Sequence, residues 1–238
     1  DFAVASIKGV LLTALPDARI IDIDHSLEKF NILNGAFTIN KVYPFLPQNT
    51  ILICVVDPGV GSPRDILCIE YEGYTFIGPN NGIFHYILME ENSVVHKINE
   101  TLFNSSSVTF HGRDIFSPAA ISLAKKDRSI LLPINKKEIN FLKDLGNCID
   151  SGVISYIDSY GNIKTNIMVN DDRPADFYSY LLINNVRHKT LFTKTFSEVP
   201  ANTLLTYRGS NGTLEIAVNL GSAKDTLQVN VGTKIYLK

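Results

Sequence analysis

The sequence predicts two domains: an N-terminal α/β domain with a mostly parallel sheet, followed by a smaller all-β, barrel-like domain. Over about the first 130 residues, helical patterns alternate with buried β-branched runs, which is typical of a parallel sheet covered by helices. Near Gly146 to Gly152 the helical pattern ends, and short strand-like runs then follow one another, separated by Gly, Asn, Asp and Pro. The predicted domains are residues 1–146 and 147–238.

The first elements are set by apolar spacing and by turn residues. Apolar residues at helical intervals predict a helix over Val4 to Leu15, which Pro16 ends. The alternating run RIIDID, Arg19 to Asp24, predicts a strand. Ser26 is then the expected N-cap of a helix that continues through Ile32 to Val42.

The rest of the N-terminal domain contains a second strand, a hairpin and a helix. Thr50 to Asp57 is an apolar, β-branched run that predicts a buried strand. Ile66 to Glu72 and Tyr74 to Gly78 are separated by a single glycine, which indicates a hairpin. Asp114 to Lys126 predicts a helix, in which Pro118 is tolerated near the first turn.

The C-terminal half reads as strands separated by polar turns. The predicted strands are Gly152–Asp158, Asn162–Met168, Tyr180–Asn185, His188–Phe192, Thr203–Arg208, Thr213–Asn219 and Thr233–Leu237.

Composition excludes several classes of protein. With 45% hydrophobic residues and a mean hydropathy of +0.08, the chain is globular rather than disordered. A net charge of −2, without a long basic run, gives no reason to expect a nucleic acid or membrane partner. We expect no metal site, because no histidines have HxxxH or HxH spacing. No membrane span or signal peptide is visible, and three cysteines without CxxC spacing favour free thiols in a reducing cytoplasm.

Three polar residues follow the predicted strands of the first domain. Asp57 ends the run ILICVVD, a Pro-Gly-Val-Gly turn leads from it to Arg64, and His111 lies before the next helix. Ligands bind in α/β domains in the loops after the strands, so these three residues are the candidate site. Each of the three also has a purely structural interpretation: Asp57 as a turn residue, Arg64 as a partner in a surface ion pair, and His111 as an isolated histidine.

Two polar stretches of the second half are also candidates. Asp158-Ser159-Tyr160-Gly161-Asn162 and Ser210-Asn211-Gly212 have the chemistry of hairpin turns. They also offer an aromatic face, Tyr160, for stacking on a heterocycle and an amide, Asn162, for reading its edge. The spacing alone does not choose between these interpretations.

Five motifs in order carry a resemblance to a known family. They are VVDPGVGSPR at Val55–Arg64, GPNNG at Gly78–Gly82, TFHGRDIFSPAA at Thr109–Ala120, IDSYGNIKTNI at Ile157–Ile167 and GSNGTLEIAVNLGSA at Gly209–Ala223. The sequence closely resembles the S-adenosylmethionine hydrolases, or SAM hydroxide adenosyltransferases, which are related to the fluorinases and chlorinases. The resemblance implies an α/β domain followed by a β-barrel-like domain.

The resemblance implies a reaction and its residues. Water or hydroxide attacks the ribose 5′ carbon of S-adenosylmethionine and releases adenosine and L-methionine, without a metal or redox cofactor. The family's catalytic Asp, Arg and His fall on Asp57, Arg64 and His111, and which of them receives the proton is open. Implied substrate contacts are Asp1 and Asp158 for the methionine amine, Phe30 for the ribose and sulfonium, Tyr160 and Asn162 for adenine, Ser210 for the methionine carboxylate, and the main chain at Asn219 and Leu220 for the adenine edge.

The resemblance also implies a homotrimer with sites between subunits. A further strand is expected before Asp1, ending in an aspartate that binds the ribose hydroxyls. Val218 stands where the halogenases carry a basic residue, which favours the hydrolase branch. Two other functions remain open: a halide-dependent halogenase, and a sensor that binds S-adenosylmethionine or adenosine without turnover.

Overall fold

The computed structural model describes residues 2–104, 107–143, 145, 150–169 and 180–237. The chain divides into two compact units, Asp1–Leu142 and Lys143–Lys238. Each unit has its own sheet and its own hydrophobic core. No helix in the described part of the chain is long and apolar enough to cross a membrane.

Unit 1 has a five-stranded sheet in the order β1-β3-β2-β4-β5. Its elements are α1 (Phe2–Ala14), α2 (Ile32–Val42), β1 (Ile51–Ile53), β2 (Ile66–Tyr71), β3 (Tyr74–Pro79), α3 (His85–Leu88), β4 (Val94–Ile98), a π-helix (Gly112–Phe116), α4 (Ser117–Ala124) and β5 (Leu131–Pro133), with 3₁₀ turns at Tyr43–Phe45, Glu100–Leu102 and Lys136–Glu138.

The sheet of unit 1 is buried on both faces. In β2 alternate residues enter different clusters: Leu67 and Ile69 pack with α2 and α3, whereas Ile66 and Cys68 pack with the π-helix and α4. This follows from the period of two residues in a strand. The sheet therefore lies between two helical layers, as the α/β prediction requires.

The prediction of a mostly parallel sheet is wrong. Only the β1–β3 pair is parallel, and the other three pairs are antiparallel. The reason is local, because β2 and β3 are joined by Glu72 and Gly73 alone, with φ angles of 47° and 80°. A two-residue turn of this kind joins antiparallel strands, whereas parallel neighbours need a crossover of a dozen residues or more.

The predicted strand at Arg19 to Asp24 is also wrong. These residues form no strand, and Ile20, Ile21 and Ile23 are exposed. Asp22 instead accepts hydrogen bonds from Lys8 at 2.6 Å and His25 at 2.8 Å, which lower the pKa of its carboxyl. An alternating apolar pattern forms a strand only where a neighbouring strand pairs with it.

The helix α2 ends where predicted but begins at Ile32, later than the predicted cap at Ser26 requires. The Asn31 side chain accepts a hydrogen bond from the Asn34 backbone N–H at 3.0 Å, so Asn31 is the N-cap. Ser26 bonds to Asp24 instead. The predicted helix at Asp114 to Lys126 corresponds to the end of the π-helix followed by α4, with Pro118 in the first turn.

Unit 2 has an eight-stranded, barrel-like sheet in the order β10-β11-β12-β7-β6-β13-β8-β9. Its elements are β6 (Ser151–Ile157), β7 (Ile163–Met168), β8 (Tyr180–Ile183), β9 (Val186–Lys189), β10 (Leu191–Phe192), β11 (Leu204–Arg208), β12 (Thr213–Val218), α5 (Ala223–Leu227) and β13 (Lys234–Leu237), with a 3₁₀ turn at Phe196–Glu198. The pairs are antiparallel except for β10 with β11.

Candidate active site

Asp57 and Arg64 lie at the two ends of one turn in unit 1. The chain leaves β1 with a hydrogen bond from the Cys54 N–H to the Ile77 carbonyl at 2.9 Å and then reaches Asp57. Backbone hydrogen bonds within the turn join Val60 N–H to Asp57 O at 3.3 Å and Arg64 N–H to Ser62 O at 2.8 Å. The turn thus returns Arg64 to the side of Asp57.

The Asp57 and Arg64 side chains form a buried, bidentate ion pair. Arg64 Nε donates to Asp57 Oδ1 at 2.9 Å, and Arg64 Nη2 donates to Oδ2. The two side chains are 4% and 9% exposed, respectively. A guanidinium matches a carboxylate in this geometry, so the pair fixes both groups in orientation as well as in charge.

Arg64 also reaches His111, so the structure brings the three predicted catalytic residues together. Arg64 Nη2 lies 3.3 Å from His111 Nδ1, and His111 is buried. A guanidinium can only donate hydrogen bonds, so Nδ1 accepts and the ring hydrogen is on Nε2. Arg64 Nη1 is buried and has no hydrogen-bond partner among the described residues, which leaves one cationic donor for a ligand.

His111 is placed by the π-helix. It begins this segment, and the Ser117 hydroxyl donates to the Gly112 carbonyl at 2.7 Å inside the wider turn. A Cβ on Gly112 would lie 3.0 Å from Ile7 Cδ1 and 3.6 Å from Val55 Cγ2. A side chain here would require Ile7 to shift by a few tenths of an ångström, so glycine suits the close approach of this segment to α1.

The two asparagines of the GPNNG motif bond to the backbone of other segments of unit 1, and Asn81 supports the Asp57 turn; the sequence analysis did not predict this role. The Asn81 side chain donates to the Val56 carbonyl at 2.8 Å, directly before Asp57. Asn80 donates to the Glu138 carbonyl at 2.7 Å and accepts from the Asn140 N–H at 2.8 Å. The sequence signal for this role was two asparagines directly after a strand, because their side chains often hydrogen-bond to nearby backbone groups.

The remaining charged residues of the FHGRD motif pair with each other. Arg113 Nε donates to Asp114 Oδ1 at 2.5 Å, and its guanidinium lies 4.6 Å from the centre of the Phe110 ring. Asp114 also accepts from the Ser107 N–H at 3.0 Å. Within this motif, His111 is therefore the residue that reaches Arg64.

The two other predicted contacts of unit 1 are less defined. Phe30 is 75% exposed and has a φ of 65°, an uncommon backbone conformation for an aromatic residue. Asp1 lies outside the described residues. Among the described residues, no hydrogen bond joins Phe30 to the cluster of Asp57, Arg64 and His111.

In unit 2, Asp158 organises the hairpin turn between β6 and β7. Its Oδ1 accepts from the backbone N–H groups of Tyr160 at 3.0 Å and Asn162 at 2.9 Å, and its Oδ2 accepts from the Asn162 amide at 3.1 Å. A carboxylate has about four acceptor positions, so one remains for a ligand. The Tyr160 ring is 79% exposed and free to stack.

The turn after β12 lies against the same hairpin. The Lys224 N–H donates to the Gly161 carbonyl at 3.0 Å, and a Cβ on Gly161 would lie 2.2 Å from Ser222 Oγ. The Asn219 backbone is used within unit 2, because its N–H donates to Thr203 and its carbonyl accepts from Asn202. Leu220 is 85% exposed with a φ of 56°, and its main chain is the part of this turn that can face a ligand edge.

Ser210 lies at the other end of β12. It is exposed in the turn from Gly209 to Gly212, which is closed by hydrogen bonds of 2.9 Å from Gly209 N–H to Thr213 O and from Gly212 N–H to Gly209 O. The structure therefore groups Asp158, Tyr160 and Asn162 with the Asn219–Leu220 turn and places Ser210 on a separate turn of unit 2.

The described residues contain no group of three or more His, Cys, Asp and Glu residues arranged to hold a metal ion. The polar groups at the Asp57–Arg64 turn are a cationic donor, a carboxylate and an imidazole that presents an N–H. This set suits the binding and polarisation of a small polar molecule such as water.

Comparisons with known proteins place these residues in a family context. Residues 1–130 match the model of the SAM hydroxide adenosyltransferase N-terminal domain, and residues 152–236 match that of the C-terminal domain. The chain is similar to curated (R)-S-adenosyl-L-methionine hydrolases from Thermus thermophilus, at 29% identity over 100% of this chain and 94% of that protein, and from Methanocaldococcus jannaschii, at 31% identity over 95% and 87%. A fluorinase from Actinoplanes sp. is 23% identical over 70% of this chain and 67% of its own length.

A solved structure has the same fold. The crystal structure of an uncharacterized conserved protein from Thermotoga maritima superposes with a TM-score of 0.89 and 30% identity, covering 100% of this chain and 96% of that one.

The buried ion pair predicts an asymmetric effect on stability. We expect Asp57→Ala to lower the free energy of unfolding by about 3–5 kcal/mol, because it leaves the Arg64 charge buried without its carboxylate. Asp57→Ala combined with Arg64→Met removes both charges and should lose less than the single variant. Urea unfolding of both proteins measures the difference.

The control is Glu70→Ala, which breaks the exposed pair between Glu70 and Arg128 and should cost about 0–1 kcal/mol. A double variant whose loss equals or exceeds that of Asp57→Ala would show that Arg64 does not depend on Asp57 for its burial.

Proposed function

Because this chain belongs to the SAM hydroxide adenosyltransferase family, we propose that it hydrolyses S-adenosyl-L-methionine to adenosine and L-methionine. A new bond forms between the water oxygen and the ribose 5′ carbon while the bond from that carbon to sulfur breaks. The electron pair of the broken bond goes to sulfur, and one proton of the water is released. The observation that carries this proposal is the buried Arg64, which contacts both Asp57 and His111 and keeps one unpartnered donor.

The chemistry of the leaving group decides what the protein has to do. Sulfur leaves as a neutral thioether from a sulfonium cation, so it needs no general acid. The barrier comes from the weak nucleophilicity of water and from its placement in line with the breaking bond. A site for this reaction therefore has to position one water and to stabilise hydroxide as it forms.

The geometry supports one division of labour among the three residues. Because His111 Nδ1 accepts from Arg64, the ring presents Nε2–H, which is a donor, to the reacting water. Of the three, Asp57 alone then has an acceptor position left for the water, and we assign the proton of the water to its carboxylate. Arg64 Nη1 and His111 Nε2–H stabilise the developing negative charge on oxygen, where buried donors are most effective.

Recognition of the substrate is proposed for the turns of unit 2. Tyr160 stacks on adenine while the Asn162 amide and the Leu220 main chain face its edge, and the exposure of Tyr160 and Leu220 supports this. The free acceptor position of Asp158 takes the methionine amine, and Ser210 takes the carboxylate. Asp1, Phe30 and the Asn219 main chain complete the proposed contacts.

The reaction is proposed to need no metal or redox cofactor, because attack by water on a sulfonium is neither an oxidation nor a reduction. We also propose a cytoplasmic location. Its support is that Cys54 and Cys68 are buried free thiols, and burial raises the pKa of each to about 12, so neither is a reactive thiolate.

A homotrimer with sites between subunits is the proposed assembly. Its support is the exposure of two large side chains of the proposed adenine site, Tyr160 and Leu220, at 79% and 85%. Light scattering tests it, with three times the chain mass expected and the mass of a single chain as the contradicting result.

Isotopically labelled water tests the reaction itself. Incubation with S-adenosyl-L-methionine in water enriched in oxygen-18 should yield equal amounts of adenosine and L-methionine, with the label in the 5′ hydroxyl of adenosine. A 5′-halogenated nucleoside formed on addition of fluoride or chloride would instead favour a halogenase. Tight calorimetric binding without product would favour a sensor.

The roles of Asp57 and His111 are separated by two conservative variants. Asp57→Asn removes the acceptor and should lower kcat by about 10²–10⁴-fold. His111→Gln keeps an N–H donor and should lose less than the 10²–10³-fold that is typical when such a donor is removed altogether. Steady-state kinetics on the two proteins measures both effects.

The matched control is Asp65→Asn, which alters a partly exposed carboxylate that pairs with Lys97 at 3.5 Å. Its kcat should equal that of the parent. If His111→Gln instead loses as much activity as Asp57→Asn, His111 is the proton acceptor and the assignment to Asp57 is wrong.

A further inference from the structure

A buried ionic network crosses three strands of unit 2 beside the proposed substrate turns. Glu215 on β12 is 6% exposed and accepts at Oε2 from Lys164 Nζ at 2.8 Å and from the Tyr207 hydroxyl at 2.6 Å. The strand register pairs Tyr207 with Glu215 and Glu215 with Lys164. The three side chains therefore form one row across the sheet.

This row lies on the face opposite the main core of unit 2. The neighbours of Glu215 in β12, Leu214 and Ile216, point into that core. A buried carboxylate has a high desolvation cost, and an apolar residue in its place is often neutral or stabilising. The core alone therefore gives no reason for a charged residue at this position.

The other carboxylate oxygen of Glu215 supports the turn that carries Ser210. A Cβ on Gly209 would lie 2.2 Å from Glu215 Oε1 and 2.7 Å from its Cδ, so the carboxylate fills the space at the first residue of the turn. Lys164 and Tyr207 hold the carboxylate from the other oxygen. Movement of Glu215 would therefore allow Gly209 and the following Ser210 to move.

The charge of Asp158, the other proposed contact of the methionine moiety, also acts on this network. Burial, the hydrogen bond to Glu215, and the charges of Glu215 and Asp158 raise the pKa of Tyr207. Tyr207 thus stays protonated and remains a donor to Glu215.

We propose that Glu215 is a positioning residue, which fixes the Gly209–Gly212 turn so that Ser210 binds the carboxylate of the methionine moiety. The proposal rests on the proposed function, because it deepens the recognition of the same substrate. Lys164 and Tyr207 hold Glu215 in place, and none of the three touches the reacting atoms.

The test compares two ligands that differ only in the carboxylate: S-adenosylmethionine and its decarboxylated form. Calorimetry in the Asp57→Asn background gives Kd without consuming the ligand. Glu215→Gln should raise the Kd for S-adenosylmethionine at least about tenfold and leave the Kd for the decarboxylated ligand within about twofold. Ser210→Ala should show the same selectivity, and the two changes together should add little to either one.

A second variant covers the case in which Glu215→Gln does not fold. Tyr207→Phe removes one hydrogen bond and keeps the charge pair, and it should raise the Kd for S-adenosylmethionine alone by about threefold. Tyr236→Phe, a matched change at a half-exposed position on β13, should alter neither Kd.

An equal rise for both ligands would overturn the proposal, because it indicates a general loss of structure. An unchanged Kd for S-adenosylmethionine, or a Ser210→Ala variant that does not distinguish the ligands, would overturn it as well. Failure of the proposed function is a separate result, because it appears in the labelled-water experiment as a parent protein without turnover.

Discussion

A buried guanidinium needs hydrogen-bond acceptors, and the site in unit 1 is organised around the acceptors of Arg64. Its side chain is 9% exposed and is bound by the Asp57 carboxylate through two hydrogen bonds. Removing either charge would leave the other without compensation in a nonaqueous environment. The same guanidinium fixes the hydrogen-bonding state of His111, since Nδ1 has to accept what Arg64 donates.

The surrounding fold serves this contact from several directions. Asn81 holds the backbone at Val56 directly before Asp57, and the π-helix with its close approach at Gly112 brings His111 to the turn. These supports lie at strand ends and at a helix start of unit 1, and catalytic groups are held more precisely by such elements than by loops. The contacts among Asp57, Arg64 and His111 thus form entirely within unit 1.

Local patterns in the sequence were sufficient for some elements and not for others. The β2–β3 hairpin and the residues Ile32–Val42 of α2 were predicted because turn chemistry and helical spacing are contained in each segment, whereas the start of α2 was placed too early. The strand at Arg19 to Asp24 was wrong because pairing is not a local property. The two-residue turn at Glu72–Gly73 makes the β2–β3 pair antiparallel, which contradicts the predicted parallel sheet. The strands β4 and β5, of five and three residues, were not predicted.

The candidate site was predictable to a similar degree. Asp57 and Arg64 share one turn, so their proximity follows from the sequence. The contact with His111 spans 47 residues and depends on a π-helix, for which the helical pattern gave no signal. The network of Lys164, Tyr207 and Glu215 was missed for the same reason, because its members come from three strands and meet only through the register of the sheet.

We propose that Arg64 makes His111 a hydrogen-bond donor toward the reacting water. Nitrogen-15 NMR of the imidazole ring tests it most directly, because a protonated and an unprotonated ring nitrogen have well-separated chemical shifts. The structure predicts an unprotonated Nδ1 and a protonated Nε2, with the Nδ1 signal changing in an Arg64→Met variant. A hydrogen on Nδ1 in the parent protein would contradict the account, because Arg64 could not then donate to that nitrogen.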